Sequence, residues 1–209
     1  QITRSERRSG VRLDVGDAQL HLDSLGTQLP DGGRLRIGAI QLSRRSHTGH
    51  FTGILLTPAP EDTTDASRPR RTVLLATIDS INVTGLDLDR SITDEALHLA
   101  RMSLFGFRAD VALDKTRPPG TAVLVPLPPA ALVALPFSIR IDTLMMAGAD
   151  ILYRERDGTT GRWGTAPFTG LQGRFLYITN DPSASAEGRR IEGDFSGTLL
   201  NSAAVSGRY

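Results

Sequence analysis

The sequence predicts an all-β protein, and three observations predict it. Apolar residues recur at every second position through most of the chain. An eleven-residue stretch, I-D-S-I-N-V-T-G-L-D-L from Ile78 to Leu88, is written again as I-D-T-L-M-M-A-G-A-D-I from Ile141 to Ile151. Polar or proline-rich segments at 58–71, 114–120 and 180–190 interrupt the alternation.

The alternation carries a fingerprint. One inserted residue in a strand exchanges the faces of everything after it, and a sheet absorbs the insertion as a bulge or turn. From Phe137 the apolar set runs Phe137, Ile139, Ile141, shifts to Leu144 and Met146, then shifts back to Ala149, Ile151 and Tyr153. The switches fall at Asp142-Thr143 and Ala147-Gly148. Upstream, Leu74, Ala76, Ile78, then Ile81, Val83, then Leu86, Leu88 switch at Asp79-Ser80 and Thr84-Gly85. Between these, Leu97, Leu99, then Met102, Leu104, then Phe107, Ala109, Val111 place Gly106 in the glycine slot. The segment from Thr93 to Ser103 begins with helix-favouring residues, but its alternation after Ala96 predicts a strand.

Fainter copies are Leu13, Val15, Ala18, Leu20, and Leu35, Ile37, Ile40, Leu42 with Arg44 in the glycine slot. Another runs Gly161, Trp163, Ala166, Phe168, Leu171, Gly173, Phe175 with Gly170 in the slot. Anchors at 15 and 37, 78 and 99, 141 and 163 form three pairs offset by 62 to 64 residues. The expected units are about 8–70, 71–133 and 134–200, stacked as a single domain over 1–209 with one shared apolar face. Helix is expected only as one or two short pieces around 129–135.

Composition closes off several functions. With 24 basic and 23 acidic residues there is no single-sign field of the kind nucleic acid or an anionic membrane attracts. Without cysteine there is no thiol catalysis and no cysteine zinc site. The charge-free run from Pro118 to Ile139 is long enough to span a bilayer, but Pro118, Pro119, Pro126, Pro128, Pro129 and Pro136 argue against a membrane helix. A start at Gln1, with no apolar signal core, is expected of a segment cut from something longer.

Chemistry-bearing residues are sparse. Asp79 and Asp142 hold equivalent places in separate repeats, so they are not expected to converge as an acid–base pair. A short Asp side chain that bonds nearby backbone suits a strand irregularity. His47 and His50 lie close in sequence, but a metal centre needs more ligands. The loop Asp157–Gly164 lacks a phosphate-gripping lysine and a following helix, and predicts a hairpin. Trp163 is expected on the apolar face. No catalytic residue, cofactor or metal is expected.

What remains is the repeated aliphatic face itself. Such a face either closes as a dry core or lines a groove for something apolar. The candidate lining residues are Ile78, Ile81, Val83, Leu86, Leu99, Met102, Leu104, Ile141, Leu144, Met146 and Ile151.

The run L-P-F-S-I-R-I-D-T-L-M-M-A-G-A-D-I-L-Y-R-E from Leu135 to Glu155, with G-R-W-G-T-A-P-F-T-G-L and Y-I-T-N-D after it, resembles the periplasmic repeats of AsmA-like proteins. These are related in architecture to TamB and to bridge-like lipid transfer proteins, and the likeness covers about residues 72–181. It implies an elongated, twisted, mostly antiparallel sheet bent into an open groove, anchored to the inner membrane by a segment not present here. It also implies a non-enzymatic role in moving phospholipid between the two membranes of a diderm envelope, with partners among envelope proteins. The alternative is a structural or assembly β module whose face is a closed core and whose edges bind partners.

Overall fold

The computed structural model describes residues 19–29, 32–60, 69–70, 72–87, 91, 96–119, 138–180 and 190–208. Twelve strands form one sheet: β1 (Gln19–Leu22), β2 (Leu25–Gln28), β3 (Arg34–Ile37), β4 (Ala39–Ser43), β5 (Thr48–Thr57), β6 (Thr72–Thr84), β7 (Ala96–Phe105), β8 (Arg108–Asp114), β9 (Ser138–Arg156), β10 (Trp163–Thr179), β11 (Glu192–Leu199) and β12 (Ala203–Arg208). The short helix expected around 129–135 and the apolar pair Leu13 and Val15 lie outside the described residues.

Pairing groups the strands into nine adjacent rows that follow the chain. β1 and β2 share a row against β4 and β3, which together flank β5, and β6 comes next. β7 and β8 divide the next row between them, followed by β9, β10, β11 and β12. Every step is antiparallel except that from β7 and β8 to β9, which is parallel. The outer rows, β1–β2 and β12, do not meet, so the sheet is open rather than a closed barrel.

The parity switches of the sequence become two lines running across the rows. In the first, Gly53 stands opposite Asp79, Asp79 opposite Gly106, and Gly106 beside Gly148. Gly170 lies next in the line. β9 carries an extra residue near Gly148, and β10 carries one near Gly170, so the two bulges cancel. The four glycines have φ of 62°, 61°, 66° and 59°. At Gly106 the constraint is double: a side chain there would adopt a left-handed backbone and run into the Asp79 carboxylate. Asp79 in turn accepts a hydrogen bond from Arg108 at 3.1 Å.

The second line joins His47, Gly85, Ala100, Asp142 and Tyr177, with left-handed φ at His47 (54°), Gly85 (68°) and Tyr177 (59°). The two lines are six residues apart along β5, β6, β7–β8 and β9, or ~20 Å of extended strand. This accounts for the twin stretches. β6 and β9 run in opposite directions, so Asp79 lies on the first line with Gly148, and Asp142 lies on the second with Gly85.

The same geometry corrects one alignment. β10 meets the first line at Gly170 and the second at Tyr177, downstream, so the true copy in β10 begins one segment later than the expected anchor at Trp163. Trp163 itself opens β10 at the hairpin end and is about half exposed rather than part of the apolar face. The Asp157–Gly164 loop is the expected hairpin connection, tied by the Asp157 carboxylate accepting from the amides of Thr159 and Thr160.

Burial follows the switched parity. In β9 the residues Ile139, Ile141, Leu144, Met146, Ala149 and Ile151 are buried or half-buried, whereas Arg140, Asp142, Met145, Ala147 and Asp150 are exposed. No polar or charged side chain is buried among the described residues. One apolar cluster forms the core, built from Val83, Leu86, Leu99, Ile139, Ile141 and Ile178.

Candidate functional site

The aliphatic face is assembled by register. Leu42, Gly49, Val83, Met102, Leu144 and Phe175 are successive cross-strand neighbours over six rows. A second file runs Ile40, Phe51, Ile81, Leu104, Met146 and Gly173. Beyond the first line of bulges a third file runs Ala76, Ala109, Ile151 and Phe168. Directly opposed side chains on one sheet face stand about 5 Å apart, close enough to form continuous apolar strips.

Glycines let the large side chains lie flat. A Cβ at Gly49 would come within 2.7 Å of Val83 and 2.9 Å of Leu42, so both side chains occupy the space above that backbone. The Phe175 ring covers Gly193 and the Phe195 ring covers Gly207 in the same way. Such cross-strand covering of glycine by an aromatic ring recovers burial that the glycine itself cannot supply.

The eleven candidate residues divide into two groups. Val83, Leu86, Leu99 and Ile141 are buried in the core cluster. Ile78, Ile81, Met102, Leu104, Ile151, Leu144 and Met146 are half-buried, and of these Ile81, Met102 and Leu144 pack against the cluster. Ile78, Leu104, Met146 and Ile151 extend the apolar surface away from it. Sequence spacing did not select Phe51, Phe175 and Ile178, which also belong to the face or its core. The signal for Phe51 was the six-residue interval from His47 to Gly53, but β5 has no Asp in it.

The titratable residues singled out by the sequence, Asp79, Asp142, His47 and His50, do not converge. Asp79 pairs with Arg108 and Asp142 with Arg140, each at 3.1 Å and on different lines. His50 bonds the Asn82 side chain, and the His47 ring nitrogen Nδ1 lies 3.2 Å from the Leu86 carbonyl oxygen. Among the described residues no three His, Asp or Glu side chains gather as metal ligands. No described helix is long and apolar enough to cross a membrane.

At the far end of the sheet charges form a ladder. Arg154 holds Asp110 through two hydrogen bonds of 2.9 and 2.8 Å, Arg156 reaches Asp114 at 3.3 Å, and Lys115 reaches Glu155 at 2.7 Å. The Thr116 hydroxyl, bonded to Asp114, holds that carboxyl below its ordinary value, helped by the Thr116 amide and Arg156 against the opposing effect of burial. Glu155 is held down mainly by Lys115 and by the Tyr153 hydroxyl. These pairings join the end of β8 and the residue after it to the end of β9.

Fold and face together define an open, single-sheet β protein with one aliphatic side. Comparison with protein families, curated proteins and solved structures finds no match to this chain.

Proposed function

We propose that the protein is a non-enzymatic lipid-binding segment that holds acyl chains along its aliphatic face. The observation that carries this is the strip Ile78, Leu104, Met146 and Ile151, which continues the buried cluster outward as half-buried aliphatic surface on an open sheet. An apolar strip of this kind suits acyl chains, which present no polar groups to satisfy. The resemblance to AsmA-like repeats supports the same reading. It extends it to phospholipid transfer between inner and outer membrane in a periplasmic setting, as part of a longer membrane-anchored chain.

Lipid extraction and native mass spectrometry of the purified protein test it. Phospholipid is expected to accompany the parent chain, and Met146→Asp or Leu104→Asp is expected to lower its recovery while the strand signal in circular dichroism persists. Equal lipid recovery from parent and variants overturns the reading. The tight packing of Val83, Leu99 and Ile141 favours a second reading, a structural module of the envelope with a closed core that binds partner proteins. A lipid-free, cooperatively melting monomer would select that one.

A further inference from the structure

On the polar side of β9 and β10, where the second line of irregularities crosses, there is a concavity of about 650 Å³ lined by Arg140, Arg174, Arg190, Asp142, Glu192 and Tyr177 together with Thr143 and Leu176. Tyr177 is the anomaly in it. A non-glycine residue at φ 59° within a strand is strained, and a bulky one more so. The bend alone does not require a phenol, since the same line is made by Gly85 in β6. Nor is the ring kept for core packing, because Tyr177 is 43% exposed. The left-handed residue lies in the lining of the concavity together with the three arginines.

Those guanidinium groups are available. Among the described residues neither the Arg174 nor the Arg190 side chain makes a hydrogen bond or ion pair, and Arg140 gives only its Nε to Asp142, leaving its terminal nitrogens. In the lining, three arginines stand against Asp142 and Glu192; beside it Asp194 opposes Arg174 and Arg101 opposes Thr143, so among the described residues four arginines face three carboxylates and one positive charge is left over. One charge matches a monoanion better than a doubly charged phosphomonoester, and far better than a nucleic-acid backbone, which needs a run of cations. Arginine forks fit the oxygens of a phosphate group, and Leu176, the Thr143 methyl and the phenol ring offer apolar contact to ester carbons.

We propose that this concavity is a binding site for a phosphodiester monoanion, gripped by Arg174 and Arg190 and covered by Tyr177. Arg174 precedes Phe175 on the strand and so faces away from the aliphatic side. The site therefore stands independently of whether that side carries lipid.

The test is an amide-resolved NMR titration of the purified protein with glycerophosphoglycerol, with sodium chloride at matched ionic strength as reference. Saturable shifts are expected at residues 174–177 and 190–192. The double variant Arg174→Gln, Arg190→Gln should bind at least tenfold more weakly. Tyr177→Gly should also bind more weakly while melting at the parent temperature or above, because glycine accepts this backbone without strain. Shifts that do not saturate, or that chloride reproduces, overturn the proposal. So does a Tyr177→Gly protein that melts lower yet binds as the parent does, since the ring would then be structural. Flotation with phosphatidylglycerol vesicles separates the sources of the diester. Arginine-dependent flotation identifies a lipid headgroup, and binding of the soluble diester alone identifies a water-soluble ligand.

Discussion

The two ends of this sheet are held by different forces. Past the second line of irregularities, Leu86, Leu99, Ile139, Ile141 and Ile178 bury themselves in one cluster with Val83, and Leu99 keeps only 3% of its surface. Past the first line, the strand ends of β8 and β9 are joined by the ladder of Arg154, Arg156 and Lys115 with Asp110, Asp114 and Glu155, all partly exposed. Exposed ion pairs contribute little each, whereas a buried aliphatic side chain contributes about 1.5–3 kcal/mol. The clustered end therefore anchors the fold, and the charged end, where Ile54, Ala76 and Ala109 are buried but no large cluster forms, is expected to open first.

That contrast can be broken at several points, in decreasing order of effect. Leu99→Ala should cost about 2–5 kcal/mol of global stability in denaturant titrations, because it empties the cluster. Gly106→Ala should cost about 1–3 kcal/mol, through left-handed strain and collision with Asp79. Combining it with Asp79→Gly should recover part of that loss, and a strictly additive double mutant would show that the two residues do not share the space. Arg154→Ala should cost less than about 1 kcal/mol and act locally. Its mark is faster hydrogen exchange in β8 and the end of β9, with no change around Leu99.

Acid sharpens the same comparison. Asp114 and Glu155 are held below their ordinary values of 3.8 and 4.5, so their pairings stabilise the folded state fully above that range. This contribution is lost as pH falls through the lowered values. Exchange at residues 108–114 and 150–156 should therefore accelerate below about pH 4.5 before the cluster responds. Simultaneous loosening of both ends would mean that the sheet opens as one unit.

Much of this was legible in the chain. The parity switches at Thr84-Gly85 and Ala147-Gly148 coincide with left-handed glycines, because an aliphatic sheet face cannot tolerate a register change without showing it in the apolar spacing. The candidate residues could likewise be chosen one face at a time. Two things were hidden. Spacing gives no strand direction, so the reversed meeting of Asp79 with Gly148 emerged only with the pairing. Left-handed backbone at His47 and Tyr177 left no trace, since neither residue type announces it.

The single parallel step has a consequence for how the chain reaches this state. Hairpin neighbours such as Ile151 and Phe168 find each other over short loops, whereas Leu99 must find Ile141, 42 positions on by 141 − 99. Closing that longer loop costs entropy before any contact repays it. Each half of the sheet can zip locally, but the core cluster draws Val83, Leu86 and Leu99 from one half and Ile139, Ile141 and Ile178 from the other. Docking of the halves is thus expected to be the slow, cooperative event, and variants at Leu99 or Ile141 should retard refolding more than variants at the turn between β9 and β10.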